Sequence, residues 1–112
     1  MEYTIERFGN PDLFNVEIKT PHIKLRYNFN PYFENQKSLR AKCADFITKL
    51  KENVGEHKYE FNNVLYIVKP DVISITLSDC EAGYMTIELP ITIDFISFYE
   101  NMMNDYISKE RN

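Results

Sequence analysis

The stretch ISITLSDCEAGYMTIELP, residues 73–90, decides the fold, because it alternates strictly on both sides of a polar centre. Aliphatic side chains occupy every second position before the centre, and they return as Met85, Ile87 and Leu89 after it. Alternation with a period of two is typical of half-buried strands, so the stretch predicts an antiparallel hairpin. The acidic trio Asp79-Cys80-Glu81 then falls in the connection between the two strands. The outward positions on the second strand are Tyr84, Thr86 and Glu88.

Five further strands are predicted from β-prone runs that end in turn residues. They are Tyr3 to Phe8, Leu13 to Lys19, His22 to Phe29, Lys58 to Phe61 and Val64 to Val68, with Val72 to Ser78 opening the hairpin above. The apolar positions change phase across Thr20-Pro21, as they must when a hairpin keeps one face apolar. We expect Ile18 to face Ile23 and Glu17 to face Lys24 across that turn.

Two helices are predicted from apolar residues that recur at spacings of three and four. The first begins near Asn30-Pro31, an amide cap before a proline, and extends to about Asn53, with Gly55 as the expected terminator. The second begins after a threonine cap at Thr92 and extends to about Ser108. Its apolar stripe is wider than one sheet face needs, which favours burial between layers or contact with a partner.

The order of elements is therefore βββ-α-ββββ-α in a chain of 112 residues. A chain of this length fits one domain, residues 1–112, and buries enough apolar surface to fold without disulfides or a structural metal. The pattern predicts an α+β architecture, an antiparallel sheet with two helices packed on one face.

Catalytic and cofactor motifs are absent from the sequence. Only three glycines occur, far apart, so neither a phosphate-binding glycine loop nor a dinucleotide fingerprint can be built. Carboxylates flank Cys80 on both sides and oppose the thiolate that a nucleophile needs. We therefore expect no enzyme activity, no metal and no cofactor, and no residue pattern indicates a known family.

The two cysteines, Cys43 and Cys80, are expected to be reduced thiols in a cytosolic protein. The first residues lack the basic and apolar regions of an export signal, and no apolar run is long enough to cross a bilayer. Cys43 falls on the apolar stripe of the first helix, which predicts a place in the core. The composition suggests an AT-rich coding genome, which would suit a bacterial cell or a virus-infected host cell.

Charge is distributed unevenly along the chain, whose formal net charge is −4. No Lys or Arg occurs from Pro70 to Ser108, whereas acidic residues recur throughout that third. The structural alternative is that these carboxylates only solvate exposed faces. The functional hypothesis is a negative surface that attracts a basic partner and speeds the encounter. The candidate partner-binding residues are Asp79, Glu81, Tyr84, Glu88, Asp94, Glu100, Asn101 and Asp105.

The first functional hypothesis is accordingly a small acidic protein without catalytic activity that inhibits or neutralises a basic protein or nucleoprotein complex. Immunity proteins against toxins and virus-encoded blockers of host defence are settings in which such chains occur. One alternative is a nucleotide- or RNA-binding module on the basic half, although the net negative charge disfavours direct nucleic-acid binding. Another is a homo-oligomeric assembly factor or chaperone, and a homodimer would fit that reading. The candidate anion-binding residues are Lys24, Arg26, Tyr27, Lys37 and Arg40, with Tyr32 and Phe33 as stacking partners.

Overall fold

Seven strands and two helices follow one another in the predicted order βββ-α-ββββ-α, which confirms the α+β class. The computed structural model describes residues 2–30, 35–79 and 83–110; for Gln36, Asp79, Lys109 and Glu110 only the backbone is described. The elements are β1 (Thr4–Arg7), β2 (Asn15–Lys19), β3 (Lys24–Asn28), α1 (Gln36–Glu52), β4 (His57–Phe61), β5 (Val64–Lys69), β6 (Val72–Asp79), β7 (Gly83–Pro90) and α2 (Ile93–Glu110).

The strands form two antiparallel sheets rather than the single sheet that the sequence predicted. One has the order β1-β2-β3 and the other the order β4-β5-β6-β7. The helix α1 separates the two groups of strands in the chain, and each group pairs only with its own sequence neighbours. Both sheets turn their apolar faces to one shared core, to which β2 contributes Val16 and Ile18 and β5 contributes Tyr66.

Both helices pack on the inner face of the four-stranded sheet. The ring of Phe46 on α1 lies 5.2 Å from that of Tyr66, and the ring of Tyr99 on α2 lies 5.4 Å from it. The opposite face of this sheet carries no helix in the described part of the chain. Cys43 is buried in the core, as its place on the α1 stripe predicted.

Three tyrosine hydroxyls meet where the two sheets and α2 join. The hydroxyl of Tyr99 lies 2.7 Å from that of Tyr66 and also contacts that of Tyr27, while Tyr66 donates to Tyr27 at 3.3 Å. Burial is the main cause that raises the pKa of each, for Tyr27 to about 12. We call these residues the tyrosine junction; it binds one strand of each sheet to α2 through neutral hydroxyls.

The register between β2 and β3 differs from the predicted one by two residues. Ile18 pairs with Leu25 and Glu17 with Arg26, so the predicted pairs with Ile23 and Lys24 were wrong. The cause is a longer turn, because the Thr20 hydroxyl accepts from the amide of Ile23 at 2.9 Å and closes a four-residue connection. An opposite-charge pair still forms across the strands.

The boundaries of the helices follow local capping. α1 begins at Gln36 rather than near Asn30-Pro31, because the Asn35 side chain accepts from the Ser38 amide and supplies the cap. It ends at Glu52, and the residue that caps it is Asn53, in the left-handed conformation with φ 58°, and not Gly55. The predicted cap of α2 is confirmed, since the Thr92 hydroxyl accepts from the Phe95 amide.

Candidate protein-binding surface

The β6–β7 hairpin extends beyond the part of the sheet that the helices cover. Its register pairs Ile73 with Leu89 at one end and Asp79 with Gly83 at the other. Exposure on its inner side rises along β7, from 1% at Leu89 to 45% at Met85. The alternation therefore specifies a full hairpin, but the core buries only the half that lies next to α2.

Tyr84 is the most exposed large side chain of this hairpin, at 84%. It pairs with Ser78 across the strands, on the face that turns away from the helices, as the sequence predicted. Next to it, the hydroxyls of Thr76 and Thr86 lie 2.9 Å apart and pair across the same face. A shallow depression of about 150 Å³ separates Tyr84 from the β4–β5 turn. An aromatic ring beside polar hydroxyls can both pack and hydrogen-bond, which is typical of protein interfaces.

Side chains of β5 continue this surface towards the other edge of the sheet. Leu65 pairs with Thr76 and Ile67 with Ser74, and both aliphatic side chains are only half-buried. Neither residue was predicted as a candidate site, although the alternation of β5 around buried Val64, Tyr66 and Val68 places both outward. We define the outer face as Leu65, Ile67, Ser74, Thr76, Ser78, Tyr84, Thr86 and Glu88.

Three of the candidate acidic residues lie against cations from elsewhere in the chain. Their ion pairs are Glu88 with Lys69 at 4.0 Å, Glu100 with Lys51 at 2.8 Å, and Asp105 with Arg7 at 3.0 Å. The last two connect α2 to α1 and to β1, so these carboxylates hold elements together. Such pairing lowers the negative field that Glu100 and Asp105 present to a partner, although exposed pairs each contribute only about 0–1 kcal/mol to stability.

The remaining acidic candidates have different surroundings. Asp94 is exposed in the first turn of α2, where its carboxylate interacts favourably with the helix dipole. Asn101 is exposed on the same helix. Asp79 ends β6, and Glu81 lies outside the described residues. The negative charge available on the hairpin therefore depends on Asp79 and Glu81, next to each other in sequence around Cys80, and on Glu88 at the far end of β7, which faces Lys69.

The basic candidates are spread over two elements. Lys24 on β3 and Lys37 on α1 are exposed, whereas Arg26 bonds the buried Glu17 at 3.2 Å and lies over the Phe8 ring. Tyr27 is only partly exposed and places its hydroxyl in the tyrosine junction. Arg40 lines a groove between the helices, and Tyr32 and Phe33 lie outside the described residues.

Within the described ranges, no three His, Cys, Asp or Glu side chains come together in a way that could hold a metal ion. Neither helix, over its described length, has the run of apolar residues that a membrane crossing requires. Comparison of the chain with protein-family models, curated proteins and solved structures found no match.

Proposed function

We propose that this protein is a binding protein without catalytic activity that inhibits or neutralises a basic protein partner, and that it contacts the partner through the β6–β7 hairpin. The observation that carries the proposal is Tyr84, 84% exposed at the end of a hairpin that projects past the core. Exposed tyrosines on rigid strands are frequent energetic centres of interfaces, because they bury a large ring at little cost in conformational entropy.

The surroundings of Tyr84 support the choice of a basic partner. Glu88 lies on the same face and strand, Asp79 ends β6, and Glu81 follows Asp79 two positions later in the sequence. Glu88 keeps 59% of its side chain exposed, although the Lys69 ammonium lies 4.0 Å from its carboxylate. Complementary charge of this kind increases association rates and suppresses wrong partners more than it adds affinity. Toxin immunity and interference with host defence are the settings in which this activity would serve.

Binding to a panel of purified basic nucleases and other basic protein toxins, measured by biolayer interferometry, tests the proposal. For a panel member that binds, Tyr84→Ala should weaken the affinity at least about 30-fold, which corresponds to a hot-spot loss of about 2 kcal/mol. The matched control is Ile93→Ala, which removes a side chain of nearly equal exposure, 82%, at the start of α2. Equal effects of the two variants would contradict the hairpin as the contact.

Charge reversal tests the electrostatic half of the proposal separately. Glu81→Lys combined with Glu88→Lys should reduce the association rate, and the reduction should shrink as salt is raised. Glu2→Lys combined with Glu56→Lys reverses the same number of charges at exposed positions outside the hairpin. If both double variants slow association equally, net charge rather than the hairpin steers the partner.

The sheet topology favours assembly as a second candidate. The order β4-β5-β6-β7 leaves β7 at an edge, eight residues long, with a free side in the described part of the chain. Open edges of this length pair readily with another strand, and a second copy of the chain is one source of it. Light scattering at high protein concentration distinguishes the candidates, since a monomer contradicts assembly and leaves the inhibitor proposal intact.

A further inference from the structure

A groove of about 520 Å³ runs between the two helices, away from the hairpin. Lys51 near the end of α1 pairs with Glu100 in the first half of α2, whereas Arg40 near the start of α1 shares the groove with Ser108. The helices therefore run antiparallel. Arg40 and Lys51 stand about 16 Å apart along the axis of α1, at a rise of 1.5 Å per residue. The volume lies in the range of ligand sites in proteins, roughly 300–1,000 Å³.

The floor of the groove is apolar. Cys43 and Ile47 come from α1, Met103 and Ile107 come from α2, and the first three are buried. Methionine adapts to irregular ligand shapes because its side chain is unbranched and polarizable. Such a floor suits an aliphatic chain.

Arg40 stands at one end of this floor with an unsatisfied donor. Its Nε is buried and has no hydrogen-bond partner, and its guanidinium makes no ion pair in the described part of the chain. A buried donor without a partner costs roughly 1–3 kcal/mol, so native structures seldom leave one. The guanidinium carries further donors in a planar fork that matches a carboxylate.

The charges that line the groove leave Arg40 uncompensated. Glu100 is the acidic residue among the described lining side chains, and Lys51 neutralises it at 2.8 Å at the far end. The described lining residues thus carry one net positive charge, located at Arg40. A monoanion complements that charge, whereas a cation or a dianion does not.

We propose that the groove binds an amphipathic monoanion, a carboxylate with an aliphatic chain. The carboxylate bonds the Arg40 guanidinium, and the chain lies along Cys43, Ile47, Met103 and Ile107. This inference is independent of the hairpin and of the proposed function.

Titration of the full chain with decanoate, followed by calorimetry and by amide chemical shifts, tests it. We expect saturable one-to-one binding, with the largest shifts on the facing sides of α1 and α2. Arg40→Gln should weaken binding about 10- to 100-fold, the loss expected when a charge-assisted hydrogen bond is removed. Lys58→Gln is the matched control, because it removes one exposed positive charge from β4 outside the groove and should leave the affinity unchanged.

Two further probes separate the head group from the chain. Acetate carries the charge without the chain and 1-decanol carries the chain without the charge, so each should bind at least about 10-fold more weakly than decanoate. Ala44→Phe fills the groove from an exposed position on α1 without changing charge, and it should also reduce binding.

The proposal is overturned if decanoate produces no saturable signal with a folded monomer, or if Lys58→Gln weakens binding as much as Arg40→Gln. It is equally overturned if 1-decanol binds as tightly as decanoate, because the groove would then recognise only apolar chains. Amide shifts confined to the outer face, or a dimer that covers the groove, would also refute it.

Discussion

Replacing Tyr99 by Phe removes a single oxygen from the tyrosine junction and leaves the ring in place. The Tyr99 hydroxyl bonds those of Tyr66, at 2.7 Å, and Tyr27, while the Tyr66 to Tyr27 bond at 3.3 Å does not depend on it. Each hydrogen bond contributes roughly 0.5–1.5 kcal/mol net, so two lost bonds lower the free energy of unfolding by about 1–3 kcal/mol. The edge contact with Phe46 remains, because it involves the ring alone.

Urea unfolding followed by circular dichroism measures this loss, and the slope with denaturant should not change. Tyr84→Phe removes the same atom from a side chain that is 84% exposed, so its effect should stay within about 0.5 kcal/mol. The double variant Tyr66→Phe/Tyr99→Phe should cost less than the sum of the two single variants, since the shared bond is lost only once. A Tyr99→Phe protein as stable as the Tyr84→Phe protein would refute the junction as a hydrogen-bonded connection.

Three other predictions use the same urea titration. Burial raises the pKa of Tyr27 from 10.0 to about 12. Its contribution to the free energy of unfolding, about 3 kcal/mol, is therefore intact below pH 10 and is lost as the pH rises through 12. A urea midpoint that stays constant over that range would contradict the burial of the hydroxyl. Asn53→Ala should lower the free energy of unfolding by roughly 1–3 kcal/mol. The substitution places alanine at φ 58° and removes two hydrogen bonds to Asp71, of 2.8 and 2.6 Å. Asn101→Ala, on the surface of α2, should change the stability little. Phe46→Ala should destabilise by about 3–5 kcal/mol, since this fully buried ring touches four other aromatic rings, and a loss below 1 kcal/mol would mean that the core closes over the cavity.

The sequence predicted best the features that neighbouring residues determine. The alternation of residues 73–90 specified the hairpin and the outward position of Tyr84, and the threonine hydroxyl at Thr92 specified the start of α2. In both, the information lies within a few residues of the structure it produces. The same is true of Cys43, whose place on the α1 stripe put it in the core.

Features that depend on distant residues or on turn length were not predictable in this way. The predicted register between β2 and β3 was wrong because one side chain, Thr20, stabilises a longer turn. The strands form two sheets because those before α1 do not pair with those after it. Periodicity within a strand does not indicate which strands pair. The surface charge depends on the ion pairs of Glu100 and Asp105 with residues of the other half of the chain, and no local pattern indicates them.

The contact between β1 and α2 has a consequence for synthesis in the cell. Arg7 and Asp105 are 98 positions apart in the chain, yet their side chains meet at 3.0 Å. At about 5–20 residues per second, a ribosome needs about 5 to 20 seconds to make the intervening segment. During that time Val16 and Ile18 have been synthesised, but the α2 residues of the core cluster that they join have not. Chaperones that shield emerging apolar strands would act on this protein in that interval.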